Sequence, residues 1–459
     1  HRRTLRLRGE IAPGSSLKPG SEAYLVYDYP PPFPVHPGAA PGARGTRQVR
    51  ILERHDDGVT VQETRTGEVP EYGRLPVALT PGPPPRPGAQ KPAIESWGSA
   101  LAAALEQGRL PADPVVDLMR RMPPRLVDGL ALTDPASDAA LAAADGVEDH
   151  RAIGATVASL RRLDRSALAV QGPPGTGKTY LAARVIRTLV ERDGWRIGVV
   201  AQSHKVVENV LEGVVRAGLD RSLVGKVPQG GALDPDAPRP GYTVLGKDQH
   251  ARFLSDRRDA GRGAVIGGTS WDFANDARIA RGSLDLLVID EAGQFSLAPT
   301  IAASVSARRL LLLGDPQQLP QVSQGSHPEP VDSSALGWLL GEHDTLPSEL
   351  GYFLAETRRM RPELTGVVSE LAYEGRLHAH TIAAQREVIG AGPPGLVWHP
   401  VEHIGNSTSS PEEAEEVVRI ARAALNGVLR GQPGEPGESG EPRDADRPLT
   451  QRDLIVVAA

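Results

Sequence analysis

The chain has 459 residues, more than one compact core usually holds, so several domains are expected. Its 51 basic and 57 acidic side chains give a net charge of −6, so any nucleic-acid contact must come from local basic patches. It contains no cysteine, which excludes disulfides, thiolate zinc sites, cysteine-ligated iron–sulfur clusters and cysteine nucleophiles.

The apolar runs are all far shorter than the roughly 20 residues that a membrane span needs. The chain begins with a histidine, and no signal peptide follows it. We therefore expect a soluble, cytoplasmic protein with no membrane partner, and an excerpt of a longer chain.

Residues 1–90 contain short β segments separated by turns rich in glycine and proline, a spacing typical of a small β-barrel. The predicted strands are Thr4–Arg8, Ala23–Tyr27, Arg47–Leu52, Val59–Glu63 and Pro76–Leu79. The polar face of such a barrel is either a solvated surface or a nucleic-acid contact. Residues 91–163 have a helical pattern and predict a stalk or connector. The predicted helices there are Ile94–Glu106, Pro114–Met119 and His150–Leu163.

From residue 164 to 345, buried strands alternate with helices, which predicts a doubly wound α/β domain. Continuous apolar strands of this kind belong to a parallel sheet that is covered on both faces. The predicted strands are Ala167–Val170, Ile197–Ala201, Ala264–Ile266, Leu284–Ile289 and Leu310–Leu313. The predicted helices between them are Lys178–Val190, His204–Val215 and Leu297–Ser304.

Residues 346–459 predict a second α/β domain that is incomplete at its C-terminal end. It contains the predicted helix Pro411–Leu425, followed by a polar loop at Gly431–Arg447. A strand is predicted to begin at Asp453 and to run to Val457, two residues before the last residue given.

A glycine-rich segment connects the first strand of the first α/β domain to its first helix. It consists of Gly172, Pro173, Pro174, Gly175, Thr176, Gly177, Lys178 and Thr179. Glycines let backbone N–H groups approach a phosphate closely, and the helix N-terminus adds a favourable dipole. We expect Lys178 to reach the β- and γ-phosphates of ATP and the Thr179 hydroxyl to ligate Mg²⁺.

Two further strand ends carry polar residues to the same edge of the sheet. Asp290 and Glu291 follow an apolar strand, where Asp290 is expected to hold Mg²⁺ through water and Glu291 to deprotonate the attacking water. A strand that ends in Asp-Glu is also a common structural feature with no catalytic role. The phosphate loop upstream makes the catalytic interpretation the favoured one. The turn at 314–320 offers the Gln318 amide to a γ-phosphate oxygen; a plain turn is the alternative.

Together the segments 171–179, 290–294 and 314–320 resemble superfamily 1 helicases. The branch is that of the RNA-surveillance helicase and the flap-processing helicase–nuclease. Segments 201–209 and 267–270 resemble two further family motifs, and this implies that Ser203, His204, Thr269 and Ser270 contact a nucleic-acid strand. The resemblance covers residues 166–459. It implies that residues 1–90 are the accessory barrel and 91–163 its stalk.

The segment 356–362, followed by Tyr373–Gly375, resembles the family's Tyr-Arg-Met-His-Pro motif. Arg358 and Arg361 stand at its aromatic and histidine positions, and Arg359 aligns with the arginine finger. Two later family motifs do not occur after Met360, so the excerpt is expected to end before them and to be inactive in unwinding.

The resemblance implies an ATP- and Mg²⁺-dependent helicase or translocase with nucleotide between two RecA-like domains. Its expected partner is single-stranded nucleic acid, with DNA favoured over RNA and a role in DNA repair or processing. Two alternatives are an ATP-switched nucleic-acid clamp without translocation and an inactive nucleotide-binding remnant.

Residues 203–209 carry a variant of the family motif, Ser-His-Lys-x-x-Glu-Asn. This variant is similar to that of bacterial proteins in which a helicase of this family is fused behind a RecB-like nuclease. None of the six lysines has an acidic residue two places before it, so any fused nuclease domain lies outside these residues. Trp271 and Phe273 are able to stack a base, but core positions are favoured for both. His378 and His380 lack a third metal ligand, which favours an exposed turn.

Overall fold

The computed structural model describes most of the chain, in twelve segments. These are residues 2–9, 17–35, 40–55, 57–64, 72–82, 86–147, 150–233, 238–319, 327–390, 392–406, 409–430 and 446–457. The chain divides into two compact units, His1–Arg86 with Glu402–Glu412, and Pro87–Val401 with Glu413–Ala459. In the described residues no helix is long and apolar enough to cross a membrane.

The smaller unit contains a five-stranded antiparallel sheet, because apolar and polar residues alternate along its strands. Its strands are β1 (Arg2–Arg8), β2 (Glu22–Tyr27), β3 (Gly45–His55), β4 (Gly58–Thr64) and β5 (Ala78–Thr80). The strand order is β1-β4-β3-β2-β5. Within the described residues β1 and β5 are the two edges, so the expected barrel is observed as an open sheet. The short β5 pairs only with β2, and it begins two residues later than expected.

Four helices open the larger unit: α1 (Gln90–Glu106), α2 (Pro114–Met119), α3 (Asp138–Ala143) and α4 (Arg151–Arg162). Asp113 caps α2 by accepting from the N–H groups of Val115 and Val116. Leu160 and Leu163 belong to the same buried cluster as Leu168 of the sheet that follows. The predicted connector helices therefore share a core with the α/β sheet.

Eight parallel strands form the central sheet, in the order β13-β6-β12-β11-β7-β10-β8-β9. They are β6 (Ala167–Gln171), β7 (Arg196–Val200), β8 (Val224–Lys226), β9 (Thr243–Val244), β10 (Ala264–Gly268), β11 (Leu286–Ile289), β12 (Leu310–Gly314) and β13 (Gly351–Phe353). The helices are α5 (Lys178–Asp193), α6 (His204–Arg216), α7 (His250–Asp259), α8 (Ser270–Phe273), α9 (Leu297–Ser304) and α10 (Ala335–Leu340). Two buried clusters, one containing Leu168 and Val170 and the other Ala167 and Ala169, cover the two faces. This confirms the doubly wound α/β fold of a RecA-like P-loop domain.

The sheet extends past residue 345, because its edge strand β13 lies at 351–353. Short elements follow: β14 (Glu356–Thr357), α11 (Pro362–Ala372), β15 (His378–Ala379), α12 (Thr381–Ala384), β16 (Val388–Ile389), α13 (Pro411–Ala424), β17 (Val428–Leu429) and β18 (Arg447–Pro448). The parallel pair β14–β15 and the antiparallel trio β16-β17-β18 are separate small sheets.

The strand predicted at Asp453–Val457 is wrong. Residues 451–453 form a 3₁₀ turn, and 454–457 have no regular structure. The cause is local: the Asp453 carboxylate accepts from the Thr450 N–H and hydroxyl and pairs with Arg447, which closes the turn. Of the predicted loop at Gly431–Arg447, residues 431–445 lie outside the described residues.

Candidate nucleotide site and nucleic-acid contact

The loop between β6 and α5 curls around one side chain. Gly175 and Gly177 have φ values of +79° and +85°, a left-handed conformation that glycine adopts without strain. A Cβ on Gly172 would lie 2.5 Å from Lys178 Cγ and 2.7 Å from Thr176 Oγ1. Lys178 Nζ donates to the Gly172 carbonyl at 2.6 Å. The glycines therefore let the backbone close around the Lys178 side chain.

The ends of β6, β12 and β11 lie side by side next to this loop. The Gly172 N–H donates to the Gly314 carbonyl at 2.9 Å, which joins the loop to the end of β12. Asp290 follows β11 and is buried, and its Oδ1 has no hydrogen-bond partner in the part of the chain described here. Burial and the neighbouring Glu291 raise the pKa of Asp290 to about 6, while Lys178 acts in the opposite direction. The predicted Asp290 therefore lies close enough to the predicted Lys178 for their charges to interact.

The turn after β12 is organised by Asp315. This buried carboxylate accepts from Gln318 Nε2 at 3.0 Å and from the Tyr373 hydroxyl at 2.7 Å, both at Oδ2. The structure therefore connects Gln318 with the end of α11. Pro320, the last residue of the predicted motif, lies outside the described residues.

The segment around Arg359 packs directly on the phosphate loop. Thr357 Oγ1 donates to the Pro174 carbonyl at 2.7 Å, and the Arg358 N–H donates to the Gly175 carbonyl at 2.9 Å. A Cβ on Gly175 would lie 2.2 Å from Arg359 Cβ. The predicted finger is therefore adjacent to the loop, and so is Thr357, a residue of the motif segment to which the sequence assigned no role.

Arg361, at the motif's histidine position, contacts other parts of the same segment. Its Nη2 pairs with Glu363 Oε1 at 2.9 Å, and its Nη1 donates to the Ala384 carbonyl at 2.9 Å. The hydrogen bonds to Glu363 raise the pKa of Arg361. Its guanidinium thus ties the start of α11 to the end of α12.

The predicted strand-contacting residues lie at the ends of the neighbouring strands β7 and β10. Ser203 is exposed, and its hydroxyl caps α6 by accepting from the Val206 N–H at 3.3 Å. Thr269 is half-buried, and its hydroxyl donates to Asp272 Oδ2 at 2.8 Å. Both hydroxyls are thus held at the same edge of the sheet as the phosphate loop.

The other two residues of this group are less accessible. Ser270 is buried, and its Oγ accepts from Gln90 Nε2 at 3.0 Å. His204 is half-buried, and burial together with the fully buried Lys226 lowers its pKa. The structure therefore presents Ser203, His204 and Thr269 at the edge, while the Ser270 hydroxyl points into the protein.

The aromatic residues after Thr269 differ from each other. Phe273 is fully buried in the core, as predicted, but Trp271 is 38% exposed, so a core position for Trp271 is wrong. The reason is that α8 is a single turn, of which only one side faces the sheet. His378 lies in β15, and His380 Nδ1 caps α12 by accepting from the Ile382 N–H, so the two histidines belong to different elements and do not form the expected turn.

The chain is similar to several known proteins. A family described as "AAA domain" matches residues 150–334. The "DNA replication ATP-dependent helicase/nuclease DNA2" of Xenopus laevis is 25% identical over 226 residues, covering 48% of this chain and 20% of that protein. The "Regulator of nonsense transcripts 1" of Caenorhabditis elegans is 24% identical over 274 residues, covering 52% of this chain and 25% of that protein. These matches support the predicted resemblance to superfamily 1 helicases.

The chain spans only about a quarter or less of the length of these relatives. Among solved structures, "Crystal structure of Arterivirus nonstructural protein 10 (helicase)" matches with a TM-score of 0.34 and 15% identity. That match covers 83% of this chain and 58% of the viral one. The similarity to RecB-like nuclease fusions stays a prediction.

Proposed function

We propose that this chain is the ATP-hydrolysing core of a helicase or translocase that acts on single-stranded nucleic acid. One observation carries the proposal. The Lys178 ammonium, the buried Asp290 carboxylate and the segment ending at Arg359 converge on one glycine-rich loop. That convergence supports a site for a nucleoside triphosphate, because it offers positive groups for phosphate and an acid for a metal ion.

The substrate ATP would be held by the backbone N–H groups of the loop and by Lys178. The loop residues Gly172, Pro173, Pro174, Gly175, Thr176, Gly177 and Thr179 surround the phosphates in this proposal. Lys178 is already positioned by the Gly172 carbonyl, so little side-chain freedom is lost when phosphate replaces that partner.

The residues present fit a magnesium ion. Asp290 is buried and its Oδ1 lacks a partner among the described residues, and a carboxylate oxygen is a ligand that Mg²⁺ prefers. In this proposal Thr179 binds the ion directly and Asp290 through water. When bound, Mg²⁺ would supply positive charge that offsets the negative charge of the phosphates.

Three side chains would perform the chemistry around the γ-phosphate. Glu291 would orient the attacking water and accept its proton. Gln318 would donate to a γ-phosphate oxygen, and Arg359 would neutralise charge in the transition state. The packing of Thr357–Arg359 on the loop supports this role for Arg359, since it brings that residue beside the phosphate site.

The nucleic-acid strand would contact the ends of β7 and β10 through Ser203, His204 and Thr269. The buried Ser270 hydroxyl, bonded to Gln90, is left out of this contact. A strand bound there would lie on the same sheet edge as the nucleotide, which gives a short path for coupling. We propose DNA as the substrate and DNA repair or processing as the role, supported by relatives named for DNA replication.

The test measures ATP hydrolysis with and without single-stranded DNA and RNA, together with displacement of a labelled strand from a partial duplex. Lys178→Ala should lower turnover about 100-fold or more, because it removes the cation from the loop. Lys91→Ala, an exposed lysine in α1, is the matched control and should hydrolyse ATP normally. In a longer chain that carries the two later family motifs, stimulated hydrolysis without strand displacement would instead identify an ATP-switched clamp. Equal turnover in Lys178→Ala and Lys91→Ala would refute the site.

A further inference from the structure

A hydroxyl from α11 reaches the turn that carries Gln318. Tyr373 OH donates to Asp315 Oδ2 at 2.7 Å, and Gln318 Nε2 donates to the same oxygen at 3.0 Å. Asp315 and Tyr373 are both buried. One carboxylate oxygen therefore joins two side chains that are 55 positions apart in the sequence.

Tyr373 is held firmly in this position. Its backbone N–H donates to the Ser369 carbonyl at 2.9 Å, and its ring lies 6.2 Å from the ring of Phe353 at the sheet edge. The next residue, Glu374, accepts from Thr345 Oγ1 at 2.6 Å. Burial and the bond to Asp315 raise the pKa of Tyr373 far above its usual range, so the hydroxyl stays protonated and acts as a donor.

The shared carboxylate determines which end of the Gln318 amide is used. A carboxylate accepts hydrogen bonds but cannot donate them, so it selects the amide nitrogen over the carbonyl oxygen. An amide nitrogen has two hydrogens, and the bond to Asp315 uses one of them. The second N–H remains for another acceptor, such as a phosphate oxygen.

We propose that Tyr373 is a positioning residue of the nucleotide site, which sets the orientation of Gln318 through Asp315 and links that amide to α11. The inference rests on the proposed ATPase function and adds a residue to it. Without the hydroxyl, Asp315 Oδ2 would keep the Gln318 bond as its one contact among the described residues. The carboxylate would then be held by this bond and by the longer bond from the Gln317 N–H to Oδ1 at 3.3 Å, so it and the amide would be positioned less firmly. The amide would then be oriented for the γ-phosphate in only part of the molecules.

The first experiment compares Tyr373→Phe with the parent protein in steady-state ATP hydrolysis. The variant keeps the ring and its packing, so kcat should fall about tenfold while KM for ATP stays within about threefold. The affinity for a non-hydrolysable ATP analogue relative to ADP should also fall, because only the triphosphate has the γ-phosphate that Gln318 would contact.

Tyr352→Phe is the matched control. The Tyr352 hydroxyl is also buried and bonds Ser159 Oγ at 2.7 Å and the Thr133 carbonyl at 2.8 Å. Within the described part of the chain none of its hydrogen bonds reaches Asp315. Its free energy of unfolding should fall by about as much as that of Tyr373→Phe, while its kcat should stay at the parent value. An equal fall of kcat in both variants would mean that lost stability, and not positioning, explains the effect.

A double-mutant cycle provides the decisive readout. If Tyr373 acts through Gln318, then Tyr373→Phe should change neither kcat nor the ATP-over-ADP preference in a Gln318→Ala background. Additive effects in the double variant overturn the inference but leave the proposed ATPase intact. Failure of the parent protein to bind the ATP analogue would overturn the proposed function, and the inference with it.

Discussion

Asp290 and Glu291 are neighbours in the sequence but lie in different environments. Asp290 continues the direction of β11 and is buried, with its N–H bonded to the Val200 carbonyl. Glu291 has a φ of +54°, a left-handed conformation that is uncommon for a residue with a side chain. The roles proposed for them differ as well, with the buried Asp290 assigned to the metal ion and Glu291 to the attacking water.

Replacing Glu291 with Gln should separate nucleotide binding from hydrolysis. The amide keeps the size of the side chain and most of its hydrogen bonding, but it cannot accept the proton of the attacking water. Turnover should fall by about 10²–10⁴ while the affinity for ATP stays within a few-fold of the parent. Single-turnover hydrolysis and equilibrium binding of labelled ATP measure the two quantities separately.

The control for this variant is Glu349→Gln, an exposed acid in the loop before β13. It carries the same change of charge and should leave turnover unchanged. Parent-like turnover in Glu291→Gln would remove Glu291 from the mechanism, and a matching loss of affinity would assign it to binding.

Among the elements, those that could be predicted from sequence are the ones with continuous apolar runs. The runs at 167–170 and 310–313 lie in β6 and β12, and helix α9 spans Leu297–Ser304 as predicted. Strands β8, β9 and β13 have two or three residues each, too few to produce a pattern. Short strands owe their pairing to the neighbouring strand, which a local pattern does not contain.

In the site, too, local features could be predicted from the sequence, whereas contacts between distant positions could not. The phosphate loop was predictable, because its glycines and Lys178 lie within eight consecutive residues. The bond from Thr357 to Pro174 spans 183 positions, and that from Tyr373 to Asp315 spans 58. Such contacts depend on how the elements pack, so sequence spacing could not predict them.

The contact between the phosphate loop and the Arg359 segment can be tested with one methyl group. In Gly175→Ala the new Cβ would lie 2.2 Å from Arg359 Cβ and 2.8 Å from Thr357 Oγ1, so the two segments must separate. Turnover should fall about 100-fold or more, because Arg359 moves away from the phosphates. Steady-state ATP hydrolysis is the measurement.

Gly194→Ala is the matched control at the end of α5. Gly194 has a φ of +66°, close to that of Gly175, but nothing lies within 4 Å of its Cβ position. The variant should therefore lose about 1 kcal/mol of unfolding free energy through backbone strain and keep its turnover. Equal turnover in the two variants would show that close contact with the Arg359 segment is not needed.

At the scale of the whole molecule, the two compact units have separate cores. In the smaller unit the core lies beneath the antiparallel sheet and includes Leu25, Ile51 and Val61. Next to it the fully buried Glu63 pairs with Arg3 and accepts from the hydroxyls of Tyr72 at 2.6 Å and Tyr27 at 3.1 Å. A buried charge with three donors is stable only while every partner is present.

Glu63→Gln should therefore destabilise the smaller unit and leave the ATPase site unaffected. The change keeps the side-chain volume but leaves the mostly buried Arg3 without its counter-charge, which costs about 3 kcal/mol or more. Scanning calorimetry should show two unfolding transitions, one for each unit. An ATP analogue should raise the transition temperature of the larger unit only, and Glu63→Gln should lower the transition temperature of the smaller unit only. Asp28→Asn breaks the exposed Asp28–Arg44 pair of the same unit and should change its stability by less than about 0.5 kcal/mol. A single transition that shifts with both the ATP analogue and Glu63→Gln would show that the units unfold together, because two independent cores cannot respond as one.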